Sequence, residues 1–261
     1  MKQLSQVVKR VLAQVGVSTI RIRGTTNQSS LGYISAKETI AAATHEKLSV
    51  CDYVEKLWDQ SGDTQRVIDQ MASCGVFKTI EPRVLEIGAG TGRYLEKVLV
   101  ECKPAIYESY EIARDWAEWL QAEYPIISHE ADGESLKQTR SNSVDLLHAH
   151  GLFVYLPFLV SHRYWKEIWR VVKSGGFVVF DIICEDCLDE RTVEKWLISG
   201  HKYPCFLAKD YVVSLFEKHG FALVKSFMNR YGQGHSLYLV FNRNGVIGKK
   251  LVEAESGQES R

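Results

Sequence analysis

The sequence predicts an α/β fold, a doubly wound sheet with helices on both faces. Three observations predict it. The stretch Val84-Leu-Glu-Ile-Gly-Ala-Gly-Thr-Gly-Arg-Tyr-Leu-Glu-Lys-Val-Leu99 begins as a short apolar strand and passes through three glycines at alternate positions. It continues with apolar residues at helical spacing (Leu95, Val98, Leu99), so it reads as strand, turn and helix. Strand-like apolar runs and amphipathic helical stretches then alternate as far as Ile182, the pattern of parallel strands joined by helices. An acidic residue, Glu111, closes the second strand nineteen positions beyond Gly92, where doubly wound folds place a carboxylate.

Composition bounds the answer. A chain of 261 residues can bury one full α/β core and still carry an N-terminal extension. Hydrophobic residues at 45% and charged residues at 25% are ordinary for a globular protein. Lys+Arg and Asp+Glu are both 32, so no overall charge points to nucleic acid or a membrane surface. No apolar run approaches the roughly 20 residues of a spanning helix, and no signal-peptide block opens the sequence. Six cysteines without dense spacing read as reduced thiols, which makes the cytoplasm the expected setting.

Residues 3–15 form an amphipathic pattern with Leu4, Val7, Val8, Val11, Leu12 and Val15 on one face. Lys2, Lys9, Arg10, Arg21 and Arg23 lie in a stretch with no acidic residue before Glu38. That arm is either a solvated helix face, a docking element for an anionic surface or substrate, or a weak mimic of a transit peptide. Residues 24–35 are polar and turn-rich and read as a linker. Ser35 is placed to cap a helix, with Glu38 three residues on completing a capping box. Helices are expected at about 36–47, 49–60 and 63–75, forming a cap over the carboxyl edge of the sheet, with Tyr33 and Tyr53 as its aromatics of interest. The expected organisation is a basic arm and helical cap over 1–78, a core over 79–242, and a polar tail over 243–261.

The glycine spacing separates two chemistries. A pyrophosphate-binding fingerprint is G-x-G-x-x-G, whereas here Gly88, Gly90 and Gly92 follow Glu86 and Arg93 stands where that fingerprint requires glycine. The pattern E-x-G-x-G-x-G resembles motif I of the class I S-adenosylmethionine-dependent methyltransferases. The resemblance implies S-adenosylmethionine as cofactor, its amino acid moiety wrapped by Glu86, Gly88, Ala89, Gly90 and Gly92. It covers residues 80–241 as an ordered series of elements. Ala105–Glu111 is the second strand, and Glu111, followed by Ile112, corresponds to the family's ribose-binding carboxylate; Glu108 is the competing candidate. A helix with Trp116, Trp119 and Leu120 follows. The third strand, from Ile126, ends at Asp132-Gly133, which matches either the family's contact to the adenine amino group or a plain Asp-Gly turn.

The fourth strand and its exit loop run Ser143-Val-Asp-Leu-Leu-His148-Ala-His150-Gly-Leu-Phe-Val-Tyr155. Alternation puts His148 and His150 on one side. Tyr155 falls ten residues after Asp145, where many family members carry histidine. An amphipathic helix at 159–172 is followed by Lys173-Ser-Gly-Gly176 as a glycine C-cap signal and by a fifth strand at 177–182. Helix 211–219 and strands 221–227 and 236–241 match the antiparallel pair that closes the family's mostly parallel seven-stranded sheet.

Methyl transfer is an in-line displacement in which the cofactor brings the activated methyl group. The protein supplies alignment and removal of the acceptor's proton. His150 is the first candidate base and also borders the cofactor; His148 and Tyr155 come next, and a buried, hydrogen-bonded histidine is the competing reading. No Asn/Asp-Pro-Pro-Tyr follows the fourth strand, Pro204-Cys205 falls after the fifth, and no basic, aromatic-interleaved surface favours nucleic acid. An oxygen of a small molecule or sugar remains the expected acceptor. The alternatives are a macromolecular acceptor (RNA or protein) and a catalytically silent cofactor-binding subunit. Cys184-x-x-Cys187 with His201-x-x-x-Cys205 has spacing acceptable for zinc; read otherwise, 183–210 is an insertion shaping the acceptor pocket, and no metal is assigned.

Overall fold

The computed structural model describes residues 33–199 and 205–243. The basic arm, His201 and the polar tail fall outside them. The described residues divide at Gly62 and Asp63 into two compact units.

The first unit contains helices α1 (Ala36–Glu46) and α2 (Val50–Leu57). Ser35 caps α1 by accepting the Glu38 N–H at 3.4 Å, and Ser49 caps α2 through the Asp52 N–H at 3.0 Å. Beyond α2, the buried Glu55 carboxylate accepts the Gly62 N–H at 2.9 Å and closes the turn.

The second unit is the sheet and its helices: α3 (Asp63–Ser73), β1 (Arg83–Ile87), α4 (Arg93–Cys102), β2 (Ile106–Glu111), α5 (Arg114–Glu123), β3 (Ile127–Glu130), β4 (Val144–Ala149), α6 (Phe158–Val171), β5 (Val172–Ile182), a 3₁₀ turn (Glu185–Cys187), α7 (Glu190–Ser199), α8 (Lys209–Lys218), β6 (Phe221–Tyr231) and β7 (Gly234–Arg243). The seven strands are ordered β3-β2-β1-β4-β5-β7-β6. Pairing is parallel from β3 to β5, and β7 runs antiparallel to both β5 and β6. Strand order reverses between β1 and β4, the switch point where open α/β sheets bind ligands.

The two faces bury different helices. Val67, Ile68 and Met71 of α3, Leu95 and Val98 of α4, and Leu120 of α5 cover the face carrying Val84, Tyr107, Leu146, Val179 and Tyr238. Tyr164, Trp165 and Ile168 of α6, Trp196 of α7 and Phe216 of α8 cover the other, with Leu85, Leu147, Phe180 and Phe241. Period-two alternation in each strand sends neighbouring residues to opposite cores. Helix α3 thus belongs to the sheet's own flanking layer.

The glycines after α6 do a different job from the one their sequence suggests. The helix ends in extended backbone at Val172, and β5 pairs Val172 with Val144 before resuming at Phe177 opposite Leu146. Lys173–Gly176 is an irregularity inside the strand, not a left-handed helix cap. A Cβ at Gly176 would sit 2.9 Å from the Lys173 carbonyl oxygen and 3.0 Å from that of Val144. Strands β6 and β7 also extend past their expected limits, because Lys225, Asn229 and Arg230 on the edge strand mask its apolar alternation. Gly176→Ala should therefore destabilise the protein by about 1–3 kcal/mol through backbone displacement; an unchanged urea midpoint would show that the irregularity yields freely.

Candidate active site

Strand β1 delivers the first polar group. Val84 is buried under α3 and α4, so Glu86, two residues on, shares that face. Its carboxylate is 1% exposed. It is tolerated there because the Tyr107 hydroxyl on β2 donates to Glu86 Oε2 at 2.8 Å. Burial nonetheless pushes its acidity constant up to about 8.

The chain then turns through Gly88, Gly90 and Gly92, all at positive φ (72°, 52° and 80°), a region costly for residues with a Cβ. A Cβ at Gly90 would meet only Gly88 O, at 4.0 Å, so the loop's inner side is open. Gly92 starts α4, and Ala89 is buried beneath the loop. Glu111 at the end of β2 ties this loop down. Its Oε2 accepts the Gly90 N–H and its Oε1 the Ala113 N–H, both at 2.7 Å. A carboxylate has about four acceptor sites, which leaves capacity for the two hydroxyls of a ribose. Ile112 beside it is 50% exposed, and a Cβ at Gly133 would touch Ile112 Cγ2 at 3.9 Å. Together they offer a flat apolar ledge of the kind a purine ring covers. Asp132 is engaged in its own turn: Oδ1 accepts the Glu134 and Ser135 N–H groups, and Oδ2 accepts the Ser135 hydroxyl. Glu108, the competing ribose candidate, points to the opposite face, where Arg83, His129 and Thr139 bind it.

Strand β4 brings the histidines to the Glu86 side. His148 pairs with Glu86 in register and is fully buried. Its Nε2 lies 2.9 Å from Tyr107 Oη, and its Nδ1 lies 3.0 Å from His150 Nε2 and 3.6 Å from Glu86 Oε1. His150 is half-buried, and its Nδ1 lies 3.3 Å from the Tyr238 hydroxyl. Its ring stacks on Tyr94 with centroids 3.5 Å apart and planes 9° from parallel. The Tyr94 and Tyr238 hydroxyls are 3.0 Å apart. Burial lowers the basicity of His148 to about 3. Burial, then His148, then Arg93 hold His150 well below its ordinary value. Both imidazoles are neutral at physiological pH.

Tyr155 instead packs edge-on against Tyr231, centroids 5.9 Å apart. Nearby on β5, Asp181 accepts the Gly151 N–H at 2.7 Å and is pushed up to about 6 by burial. Tyr94, Tyr107, Tyr238 and Asp181 were not singled out from sequence. Tyr107 lies two residues before Ser109 on the Glu86 face, a signal legible only once β1 and β2 are paired. Tyr238 comes from a strand distant in sequence.

Metal-type donors also collect here: Glu86, His148 and His150 offer one ligand atom each within 4.8 Å of one another. Glu86 Oε2 and the ring nitrogens of both histidines have hydrogen-bond partners within the protein, so these groups form a hydrogen-bonded row. In the zinc-like motif, Cys184 and Cys187 approach to 3.8 Å between sulfurs and Cys205 donates to the Tyr155 carbonyl at 3.1 Å.

The strand order, the open glycine loop and the carboxylate closing β2 are joined by a direct match: residues 85–180 fit the family model of the methyltransferase domain. Residues 85–180 thus match a methyltransferase domain, which supports a class I S-adenosylmethionine-dependent methyltransferase. Its cofactor is S-adenosylmethionine, and the reaction is methyl transfer. Solved structures share the fold at low identity. The protein in complex with the Trm112 methyltransferase activator of Haloferax volcanii is 14% identical, over 80% of this chain and 97% of that one, with a TM-score of 0.56. An O-methyltransferase family protein from Burkholderia thailandensis is 15% identical over 80% and 63%, TM-score 0.55. Magnesium protoporphyrin IX methyltransferase from Synechocystis PCC 6803, solved with bound SAH, is 10% identical over 91% and 93%, TM-score 0.51. No curated protein sequence matches the chain. Among the described residues, no helix is long and apolar enough to cross a membrane.

Two measurements bear on this geometry. If Glu111 takes the ribose hydroxyls, Glu111→Ala should weaken S-adenosylmethionine binding by about 1–3 kcal/mol, since those hydroxyls and two backbone N–H groups would lose their acceptor; calorimetry returning wild-type affinity would remove Glu111 from the site. Glu86 titrates higher in the folded state than in the unfolded one, so its contribution to stability declines as pH rises from about 4 toward 8. Glu86→Gln should therefore gain stability relative to wild type as pH rises from about 5 to about 8. A difference that stays constant across urea melts would contradict the buried carboxyl.

Proposed function

We propose that this methyltransferase acts on a hydroxyl oxygen of a small molecule or sugar. The observation that carries the reading is the wall of hydroxyl and imidazole groups formed by His150 after β4, Tyr238 of β7 and Tyr94 of α4. A hydroxyl acceptor must lose its proton as the carbon–oxygen bond forms. His150 stands at the carboxyl end of β4 as a neutral imidazole, the state in which it takes up a proton. The Tyr238 hydroxyl, with Tyr94 beyond it, links the ring outward. The exit loop His150-Gly-Leu-Phe153 carries none of the Pro-Pro-Tyr chemistry used on amino acceptors.

In this reading Glu86 and the loop Gly88–Gly92 hold the amino acid end of the cofactor, Glu111 its ribose, and Ile112 with Gly133 its base. Asp132 stays with the turn that shapes that ledge. When bound, the cofactor supplies the electrophilic methyl group; the chain aligns the acceptor and disposes of its proton. His148 is too deeply buried to touch an acceptor and acts on His150. Tyr155 and Tyr231 form the aromatic side of the acceptor site, where sugar and ring faces pack. Six free thiols are consistent with a cytoplasmic setting.

The test is transfer from methyl-labelled cofactor to a panel of sugars, phenols and hydroxy acids, with RNA and protein fractions run beside it. Label in a hydroxyl compound is the expected result; label confined to RNA or protein, or to an amine, would overturn the proposal. His150→Ala should slow turnover on that acceptor by about a hundredfold or more, with cofactor affinity nearly unchanged. Normal turnover would leave His150 a packing residue.

A further inference from the structure

Hydrogen counting gives the row of polar groups in the site a single direction. Tyr107 has one hydroxyl hydrogen and gives it to Glu86 Oε2. Its oxygen must therefore accept from His148 Nε2, which fixes the proton of that neutral ring on Nε2. His148 Nδ1 is then an acceptor, and its partner 3.0 Å away, His150 Nε2, is the donor. His150 Nδ1 is left to accept from the Tyr238 hydroxyl, whose oxygen accepts from Tyr94. Every link is used once, with all donors pointing toward Glu86. Four members are buried (Glu86 1%, Tyr107 2%, His148 0%, Tyr238 2%), and only Tyr94 and His150 reach the half-buried rim.

We propose that Tyr94, Tyr238, His150, His148, Tyr107 and Glu86 form a proton relay that carries the acceptor's proton from the methyl-transfer site to a carboxylate buried in the sheet. The proposal rests on the hydroxyl-acceptor reading above. The acceptor's O–H bond breaks as its carbon–oxygen bond forms, and the electron pair of the sulfur–carbon bond stays on sulfur. The released proton reaches Tyr94 Oη as Tyr94 hands its own hydroxyl proton on, so no charged phenol forms. Five protons each move one link: Tyr94 to Tyr238, Tyr238 to His150 Nδ1, His150 Nε2 to His148 Nδ1, His148 Nε2 to Tyr107, and Tyr107 to Glu86 Oε2. The step starts from the ionised form of Glu86, and charge then balances, because the positive sulfonium and the negative carboxylate are neutralised together. Loss of the sulfonium charge also favours the protonated carboxyl, so the final state holds the proton. His148, Tyr107 and Glu86 act through their neighbours and have no contact with an acceptor, so they are relay groups, not a base in the ordinary sense. Among the described residues, the charged and titratable groups facing the row are Arg93 beside His150 and Tyr94, Cys102 beside Tyr107, Glu111 beside Glu86, and Asp181 beside Tyr238.

The test uses the complex with S-adenosylhomocysteine and needs no acceptor. Long-range ¹H–¹⁵N spectra should find His148 and His150 both neutral and both protonated at Nε2. A pH jump from about 6 to about 9 followed by time-resolved infrared should show loss of the Glu86 carboxylic band, absent in Glu86→Gln. In Tyr107→Phe the same band should be lost at least tenfold more slowly with an unchanged end point, while S-adenosylhomocysteine affinity stays near wild type. A purely structural tyrosine does not produce that split between rate and end point. Equal rates in wild type and Tyr107→Phe, or an Nδ1 proton on His148, would overturn the relay. So would a stoichiometric divalent metal retained by the purified protein and lost in His150→Ala. If the relay signatures hold while the labelled methyl group goes to an amine or a macromolecule, the acceptor assignment falls and the proton path stands.

Discussion

A carboxylate inside a sheet is the constraint around which this site is built. Glu86 has almost no contact with water, and an isolated charge in such surroundings costs several kcal/mol. The chain meets that cost with a hydroxyl from β2, an imidazole from β4, and a partly suppressed charge. Tyr107 then needs a donor, His148 needs one in turn, and the requirement propagates to β7 and α4. Half-satisfied, such a network would be worse than an apolar core. The sheet order that sets β2, β1 and β4 side by side, with β5 and β7 beyond, lets one polar row cross five strands on a single face.

The fold was legible because its signals are local. Strand, glycine loop and helix are contiguous in 84–99, and the helix–strand–strand ending reads from periodicity alone. Boundaries failed where polar residues interrupted the pattern, as on the edge strand β6, or where a signal had two uses. The glycines at 175 and 176 look like a helix cap in sequence but serve an irregularity in β5, because only the pairing of Val172 with Val144 shows that the helix has already ended.

The site divides along the same line. Glu86, the loop glycines and Glu111 stand in one stretch of some twenty-five residues, and their order carries their meaning. The hydrogen bond from Gly90 to Glu111 could not be read from spacing, yet it joins the two motifs physically: one carboxylate shapes the loop and keeps acceptor capacity to spare. His148 and His150 were legible as neighbours on one side of a strand. Their partners Tyr107, Tyr94 and Tyr238 were not, since tyrosines in strands and helices are ordinary core residues until pairing brings three elements together. Likeness to solved structures at 10–15% identity shows the fold alone.

Neutrality of the histidines suits the reaction. A cationic imidazole beside a sulfonium would raise the energy of the bound cofactor through like-charge repulsion in a poorly solvated site. Arg93 already contributes one positive charge near His150. A ring kept neutral by burial avoids a second, but a neutral ring that takes up the acceptor's proton and keeps it would become the cation the site excludes. The proposed relay would pass the proton on, to a group that is ionised and held out of water. Glu86 is held out of water, and the burial that pushes it up to about 8 makes its ionised form a ready acceptor. The buried carboxylate of β1 is thus the group on which the proposed relay ends.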